Sequence, residues 1–287
     1  MRTLAFDKIV DCVRQLYIDC AYKLPEDVLA AIKSAAQTET NARAKLILAG
    51  LVENARTAGQ DQIPLCQDTG LPVVFLELGS EIVVAPAAQD KYATVLDAVQ
   101  QGIALAAKDG FLRSSVVAEP LNLRKNTGTN TPAVIHTTII PGDKLKITVM
   151  AKGGGCENKS AFKMFNPTQT KEAVVGWIVN VVKDAGANAC PPFVVGAGLG
   201  GSFELACMLA KKSLLREIGS KNPDPFYAQM EKEILLAVNA TGLGPAGLGG
   251  DTTALAVFLE TAPCHIASLP VAVNIECHSH RHKSAVL

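Results

Sequence analysis

Apolar residues in the first 60 positions recur at three- and four-residue steps: Ile9, Val10, Val13, Leu16, Tyr17 and Cys20, then Val28, Leu29 and Ile32, then Leu46, Ile47 and Leu51. This is the spacing of one helix face, and it predicts a helical N-terminal region. The period then changes. PVVFLEL at 72–78 is short, apolar and β-branched, follows the turn signal Asp68-Thr69-Gly70, and predicts a strand. A helix is expected over 88–108. AVIHTTII at 133–140 and KLKITVMA at 144–151 are β-rich, and Pro141-Gly142-Asp143 between them is hairpin chemistry, so an antiparallel pair is expected. Further helices are predicted over 169–187, 202–217 and 225–240, with short apolar strands near 193–197, 254–259 and 270–275.

Hairpin strands and clustered helices break the regular alternation of a doubly wound sheet. The expected fold class is α+β, a helical N-terminal region followed by mixed, partly antiparallel sheets flanked by helices. One domain is expected over 1–287, with a helical subdomain at about 1–60 and an α+β region at about 61–287.

Composition narrows the function classes. Hydrophobic residues are 48% and charged residues 19% of 287, as in ordinary globular chains, which excludes disorder and fibrous repeats. Lys+Arg and Asp+Glu are both 27, so no net field attracts nucleic acid or an anionic membrane. No apolar run is long enough to span a bilayer, and Asp7 and Asp11 interrupt the N-terminal apolar stretch, against a secretion signal. A cytoplasmic location is expected. The eight cysteines include no CxxC pair and read as reduced thiols or metal ligands gathered from distant segments.

Gly196, Gly198 and Gly201 satisfy GxGxxG after Phe193-Val194-Val195 and before an apolar helix, the local setting of a dinucleotide fingerprint. That unit needs a second strand ending in an acidic residue, whereas the helix here runs into Ile218-Gly219-Ser220-Lys221-Asn222-Pro223. A glycine turn that admits a helix closely is favoured over nicotinamide-cofactor binding, with an anion at the helix end left open. GPAGLGGD at 244–251 reads as a second glycine turn. KGGGCENKS at 152–160 lacks the frame of a phosphate loop, but three glycines expose backbone N–H groups, and Lys152, Asn158 and Lys159 suit carboxylates. A ligand loop is preferred there to a flexible turn.

Cys12, Cys20 and Cys207 lie in helical stretches and read as small buried hydrophobes. Cys66, Cys190 and Cys277 sit at element ends, and Cys156 and Cys264 in polar loops; spacing alone does not choose among these five. His278, His280 and His282 fit a metal-binding tract and a polar strand equally well. His136, in a strand, reads as a satisfied polar group.

PLCQDTG at 64–70, NTGTN at 126–130, KGGGCENKS, NACPP at 188–192, GLGGS at 198–202 and the Cys277 tail form an ordered set over about residues 45–287. The set resembles the alpha subunit of class I iron–sulfur fumarases and their L-tartrate dehydratase relatives. The resemblance implies a [4Fe–4S] cluster held by Cys66, Cys190 and Cys277, with one iron lacking a protein ligand and acting as Lewis acid. It implies Asp68 and His265 as catalytic, and Gln67, Arg113 and the backbone N–H of Gly155 as substrate-binding. Cys156 falls where relatives often carry serine and receives no ligand role; Cys264 has no counterpart. Plainer alternatives stand beside these: Arg113 in a surface ion pair, Asp68 capping the turn that positions Cys66.

The reaction implied is reversible dehydration of (S)-malate to fumarate. Glu157-Asn158-Lys159-Ser160 is closer to the fumarase form of its loop; tartrate to oxaloacetate is the alternative. Fused family members continue into a second domain, whereas ten residues follow Cys277 here (287 − 277 = 10). The resemblance therefore implies a separate beta subunit, in an α2β2 assembly. Two other classes stay open: a nicotinamide-dependent oxidoreductase resting on GAGLGG alone, and an iron–sulfur or zinc scaffold without catalysis.

Overall fold

A computed structural model describes residues 1–86 and 92–287. The elements, in order, are β1 (Arg2–Ala5), α1 (Phe6–Tyr22), α2 (Glu26–Thr38), α3 (Ala42–Asp61), β2 (Leu71–Gly79), β3 (Ile82–Ala85), α4 (Val95–Asp109), β4 (Val134–Ile140) and β5 (Leu145–Lys152). There follow α5 (Gly154–Glu157), β6 (Ala161–Phe165), α6 (Lys171–Ala185), β7 (Phe193–Gly200), α7 (Phe203–Ser213), α8 (Pro225–Asn239), β8 (Ala254–Ala262), β9 (Leu269–Glu276) and β10 (His282–Val286). Helices and mixed sheets make the fold α+β. None of the described helices is long and apolar enough to cross a membrane.

The chain forms two compact units, one of Met1–Pro25, Thr57–Gly153 and Arg281–Leu287, the other of Glu26–Arg56 and Gly154–His280. The N-terminal helices are thus divided, α1 to the first unit, α2 and most of α3 to the second.

In the first unit a sheet has strand order β10-β5-β2-β4. β2 pairs in parallel with β4 and antiparallel with β5, so the expected β4–β5 hairpin does not form. Burial supplies the reason. β2 and β5 are buried along most of their lengths and are paired on both sides, whereas the largely exposed β4 suits an edge. Pro141-Gly142-Asp143 instead bridges the end of β2: Ser80 N donates to Ile140 O at 2.8 Å and Glu81 N to Gly142 O at 2.9 Å.

Helix α1 packs on the sheet and on α4, burying Ile9, Val13 and Tyr17 with Ile103 and Val149. The expected start of α4 at 88 lies outside the described residues. The described helix begins after Thr94, where Thr94 and Asp97 form a reciprocal capping box. His136 stacks on Phe75 with ring centroids 4.9 Å apart, a structural use of that histidine.

In the second unit the sheet order is β6-β9-β7-β8, with β8 parallel and β9 antiparallel to β7. Side chains alternate along β7. Phe193, Val195, Ala197 and Leu199 enter the core that α6 and α8 supply through Ile178, Val182, Ile234 and Val238. Gly196 and Gly198 lie under α7: a Cβ at Gly196 would come within 2.2 Å of Ala210 O, and one at Gly198 within 2.2 Å of Ala206 O. These glycines of GxGxxG therefore belong to the strand and let a helix lie against it. The phosphate-cradling turn that the dinucleotide reading requires is absent from this stretch.

Two outcomes follow from this packing. Gly198→Ala should lower stability by about 1–3 kcal/mol in urea unfolding, because the new methyl overpacks the α7 contact, whereas Gly50→Ala, with open space around it, should be neutral or stabilising. Cys20, fully buried and donating from Sγ to Val149 O at 3.3 Å, has its thiol pKa pushed up from 9.0 to about 12, first by burial, with Arg281 and Lys283 opposing. Its stabilising contribution is therefore full below about pH 9 and is lost as pH rises towards about 12. Urea midpoints measured across that window should decline less for Cys20→Ala than for the wild type.

Candidate active site

In the first unit, Cys66, Gln67 and Asp68 lie on irregular backbone between α3 and β2. The half-buried Cys66 donates from Sγ to Gln67 Oε1 at 3.6 Å. Asp68 Oδ1 accepts from Gly70 N at 3.0 Å, so Asp68 does cap its own turn. Gly70 is required by φ +90° and by close approach, since a Cβ there would stand 2.7 Å from the Ala151 carbonyl carbon.

Buried polar side chains fix this segment. The Tyr17 hydroxyl donates to Gly70 O at 2.9 Å, and Asn130 Nδ2 donates to Tyr17 Oη at 2.9 Å and to Gly70 O at 3.3 Å. Asn130 Oδ1 accepts from Ser115 N at 2.8 Å. Burial raises the Tyr17 pKa well above its ordinary range, against the opposing charge of Arg281, so the hydroxyl stays a neutral donor. Arg281 Nη1 donates to Asp68 O at 2.7 Å. Thr69 Oγ1 accepts from Arg113 N at 2.9 Å, which sets the exposed Arg113 beside the same segment. This unit thus gathers Cys66, Gln67, Asp68 and Arg113.

In the second unit, α5, the 3-10 turn Ala187–Ala189 and the segment after β9 converge. Cys190, exposed, holds a left-handed conformation at φ 56°, ψ 66°, uncommon for a residue with a Cβ. Its carbonyl accepts from His278 N at 3.3 Å, which joins the segments bearing Cys190 and Cys277. A Cβ at Gly155 would lie 3.4 Å from Asn188 O, and the buried Cys156 donates from Sγ to Ala189 O at 3.3 Å. One ligand atom each of Cys156, Glu276 and Cys277 lie within 4.8 Å of one another. Gly155, Cys190 and Cys277 are therefore brought together, with Cys156 among them.

The stretch 244–251 braces this turn. Ala246 N donates to Pro191 O at 2.9 Å, and Gly247, at φ +72°, is so close that a Cβ would meet Ala187 Cβ at 2.4 Å. Buried Glu39 anchors the far end, accepting from Asp251 N at 2.9 Å and Thr252 N at 3.1 Å. The Thr40 hydroxyl and N–H hold the Asp251 carboxyl below the usual carboxylate range.

His265 is placed elsewhere in this unit. It sits exposed in the loop between β8 and β9, where Nδ1 accepts from Ala267 N at 3.1 Å. Cys277 follows the opposite end of β9, eight residues long and so about 25 Å away. His280 is buried with Nε2 bonded to Leu214 O at 2.7 Å, and His282 is a strand residue opposite Met150. The histidine tract thus forms no metal group among the described residues.

All eight cysteines, each among the described residues, are thiols. Cys190 and Cys277 lie on non-repetitive backbone joined by a main-chain hydrogen bond, with a third sulfur nearby. Such soft donors suit iron–sulfur or other thiophilic metal chemistry, so the residues present fit the implied cofactor. The sequence pattern did not single out Tyr17, Asn130, Glu39 or Arg281 for a role at the site. NTGTN carried a signal for Asn130; Tyr17 matched only the apolar face of a helix.

Comparison with known proteins identifies the family. The family model for fumarate hydratase (fumerase) matches residues 10–286. A Methanocaldococcus jannaschii protein provisionally named L(+)-tartrate dehydratase subunit alpha is 40% identical over 278 residues, covering 96% of this chain and 95% of that one. The L(+)-tartrate dehydratase subunit alpha of Escherichia coli strain K12 is 32% identical over 279 residues, covering 96% and 90% respectively. With a match along nearly its whole length and both parts of the motif set held in ordered surroundings, the chain belongs to the fumarate hydratase family of hydro-lyases.

Proposed function

We propose that this chain is the alpha-type subunit of an iron–sulfur hydro-lyase that interconverts (S)-malate and fumarate, with a separate beta subunit completing the site in an α2β2 assembly. The observation that carries the reading is the meeting of the Cys190 and Cys277 segments beside Gly155. The name "subunit alpha" of the relatives supports the partner.

In this reading Cys66, Cys190 and Cys277 hold a [4Fe–4S] cluster, which when bound supplies a Lewis-acidic iron to the departing hydroxyl. The chain's own groups do the rest. Arg113 binds one substrate carboxylate through its planar fork, and the Gly155 N–H donates to a carboxylate. Gln67 orients the substrate, and Asp68 takes part in proton transfer. The proton removed is α to a carboxylate and weakly acidic, so the charge that develops needs cationic stabilisation, to which Arg113 contributes. His265 is the catalytic histidine in this reading; it stands about 25 Å from Cys277 along its own sheet, and a second copy of the chain in the α2β2 assembly would bring one to the site.

Tartrate dehydration to oxaloacetate is the second reading, favoured by the relatives' names. The 157–160 loop bears less on the choice between malate and tartrate than its sequence suggests. Glu157 is paired with Lys211, and Asn274 Nδ2 donates to Glu157 Oε2 at 3.1 Å and Ser160 Oγ at 2.7 Å, which leaves Asn158 and Lys159 to meet a substrate.

Iron and sulfide analysis with visible absorption, on anaerobically prepared protein, tests the cofactor. Wild type and Cys156→Ala should carry about four irons, and Cys66→Ala, Cys190→Ala and Cys277→Ala should lose them. Iron-free wild type, or a zinc-only protein, sinks the reading in favour of a scaffold. For the substrate, kcat/KM in the complex with the beta subunit should be higher for (S)-malate than for L(+)-tartrate; the reverse order selects the second reading.

A further inference from the structure

Arg281 follows Cys277 by four residues and opens the last stretch of the first unit. Its main chain is fixed, because Ala151 N of β5 donates to Arg281 O at 3.0 Å. Its side chain is only 1% exposed and is the largest among the fully buried side chains. Burying a cation is expensive unless good hydrogen bonds compensate. The bond it makes is short and charge-assisted, Nη1 to Asp68 O at 2.7 Å, while the buried Nε has no hydrogen-bond partner among the described residues. A Cβ at Gly153 would stand 3.8 Å from Asp68 Oδ2 and 3.9 Å from Arg281 Nη2, so the carboxylate and the guanidinium flank one spot at the head of the glycine loop.

We propose that Arg281 is a positioning residue for the Cys66–Gly70 segment, acting through the main-chain carbonyl of Asp68. Tyr17 and Asn130 pin the carbonyl of Gly70 from α1 and from the loop before β4; Arg281 pins that of Asp68 from the chain's last stretch. Two alternate carbonyls held from separate elements leave the intervening and preceding side chains, Gln67 and Cys66 included, little freedom to turn. A lysine at 281 offers a point charge on a flexible stem, not the rigid planar fork that seats the guanidinium. The meaning of this device rests on the proposed function, which gives the segment a thiol ligand and two contacts to substrate. Its test needs neither cofactor nor turnover.

The full-length chain, cluster-free and reduced, is treated anaerobically with iodoacetamide, and each cysteine's alkylation rate is read by peptide mass spectrometry. Arg281→Met keeps the side-chain volume and removes the cation. Cys66 should then react roughly tenfold faster, equivalent to about 1.4 kcal/mol of local opening, with Cys190 unchanged and Cys20 still protected. Arg281→Lys should fall between Met and wild type. The proposal is overturned if Cys66 keeps its wild-type rate, or if Cys66, Cys190 and Cys20 accelerate together, which marks general loosening. Should Arg281→Met fail to fold, Arg281→Lys decides alone: selective acceleration at Cys66 upholds the proposal, and no change overturns it. An iron-free wild type would remove the proposed function and leave this result standing.

Discussion

The antiparallel register of β7 on β9, with Val194 opposite Glu276, is the constraint on which the second unit's chemistry depends. Cys190 stands just before one strand and Cys277 just after the other, so this pairing delivers both sulfurs to one end of the sheet. The same pairing sends the β8–β9 loop and His265 to the other end. A slip of one residue would exchange the two buried faces of a strand, bringing large side chains under α7 in place of Gly196 and Gly198, so the register is held by the whole core and not by the site. Gly196 and Gly198 add to its specificity, since the α7 backbone tolerates no side chain there.

The first unit meets its task differently. Its site segment has no regular pairing of its own, and buried side chains far apart in sequence hold it by its carbonyls. Tyr17 and Asn130 are neutral donors; Arg281 is a charge. The protein thus spends buried polarity where regular backbone pairing is lacking, and the apolar surroundings make each of those bonds stronger than it would be in water.

Much of this was legible in the sequence. Three- and four-residue steps gave α1, where one face is buried, and short apolar runs gave β2, β7, β8 and β9 near their observed limits, where both faces are largely buried. Pro141-Gly142-Asp143 suggests a β4–β5 hairpin that does not form, because turn chemistry reports a reversal of the chain and not the partner that fills the space. GxGxxG was ambiguous for a related reason: glycine marks close approach, and the sequence does not say whether a phosphate or a helix approaches. Tyr17 and Arg281 were hidden since a polar group's burial depends on elements distant in sequence. Cys156, set aside as a ligand, turned out to share the neighbourhood of Cys277.

The seating of β2 between β4 and β5 also bears on how the chain reaches its native state. A local hairpin would let residues 134–152 pair as soon as they are made. Here both strands must instead capture one from about 60 to 80 residues earlier, so the sheet gains no early nucleus from its nearest neighbours in sequence. Until β2 is captured, the buried strand β5 presents a bare apolar edge, the kind of surface on which chains associate wrongly. The topology that encloses β2 so completely thus leaves the first unit's sheet without a local nucleus.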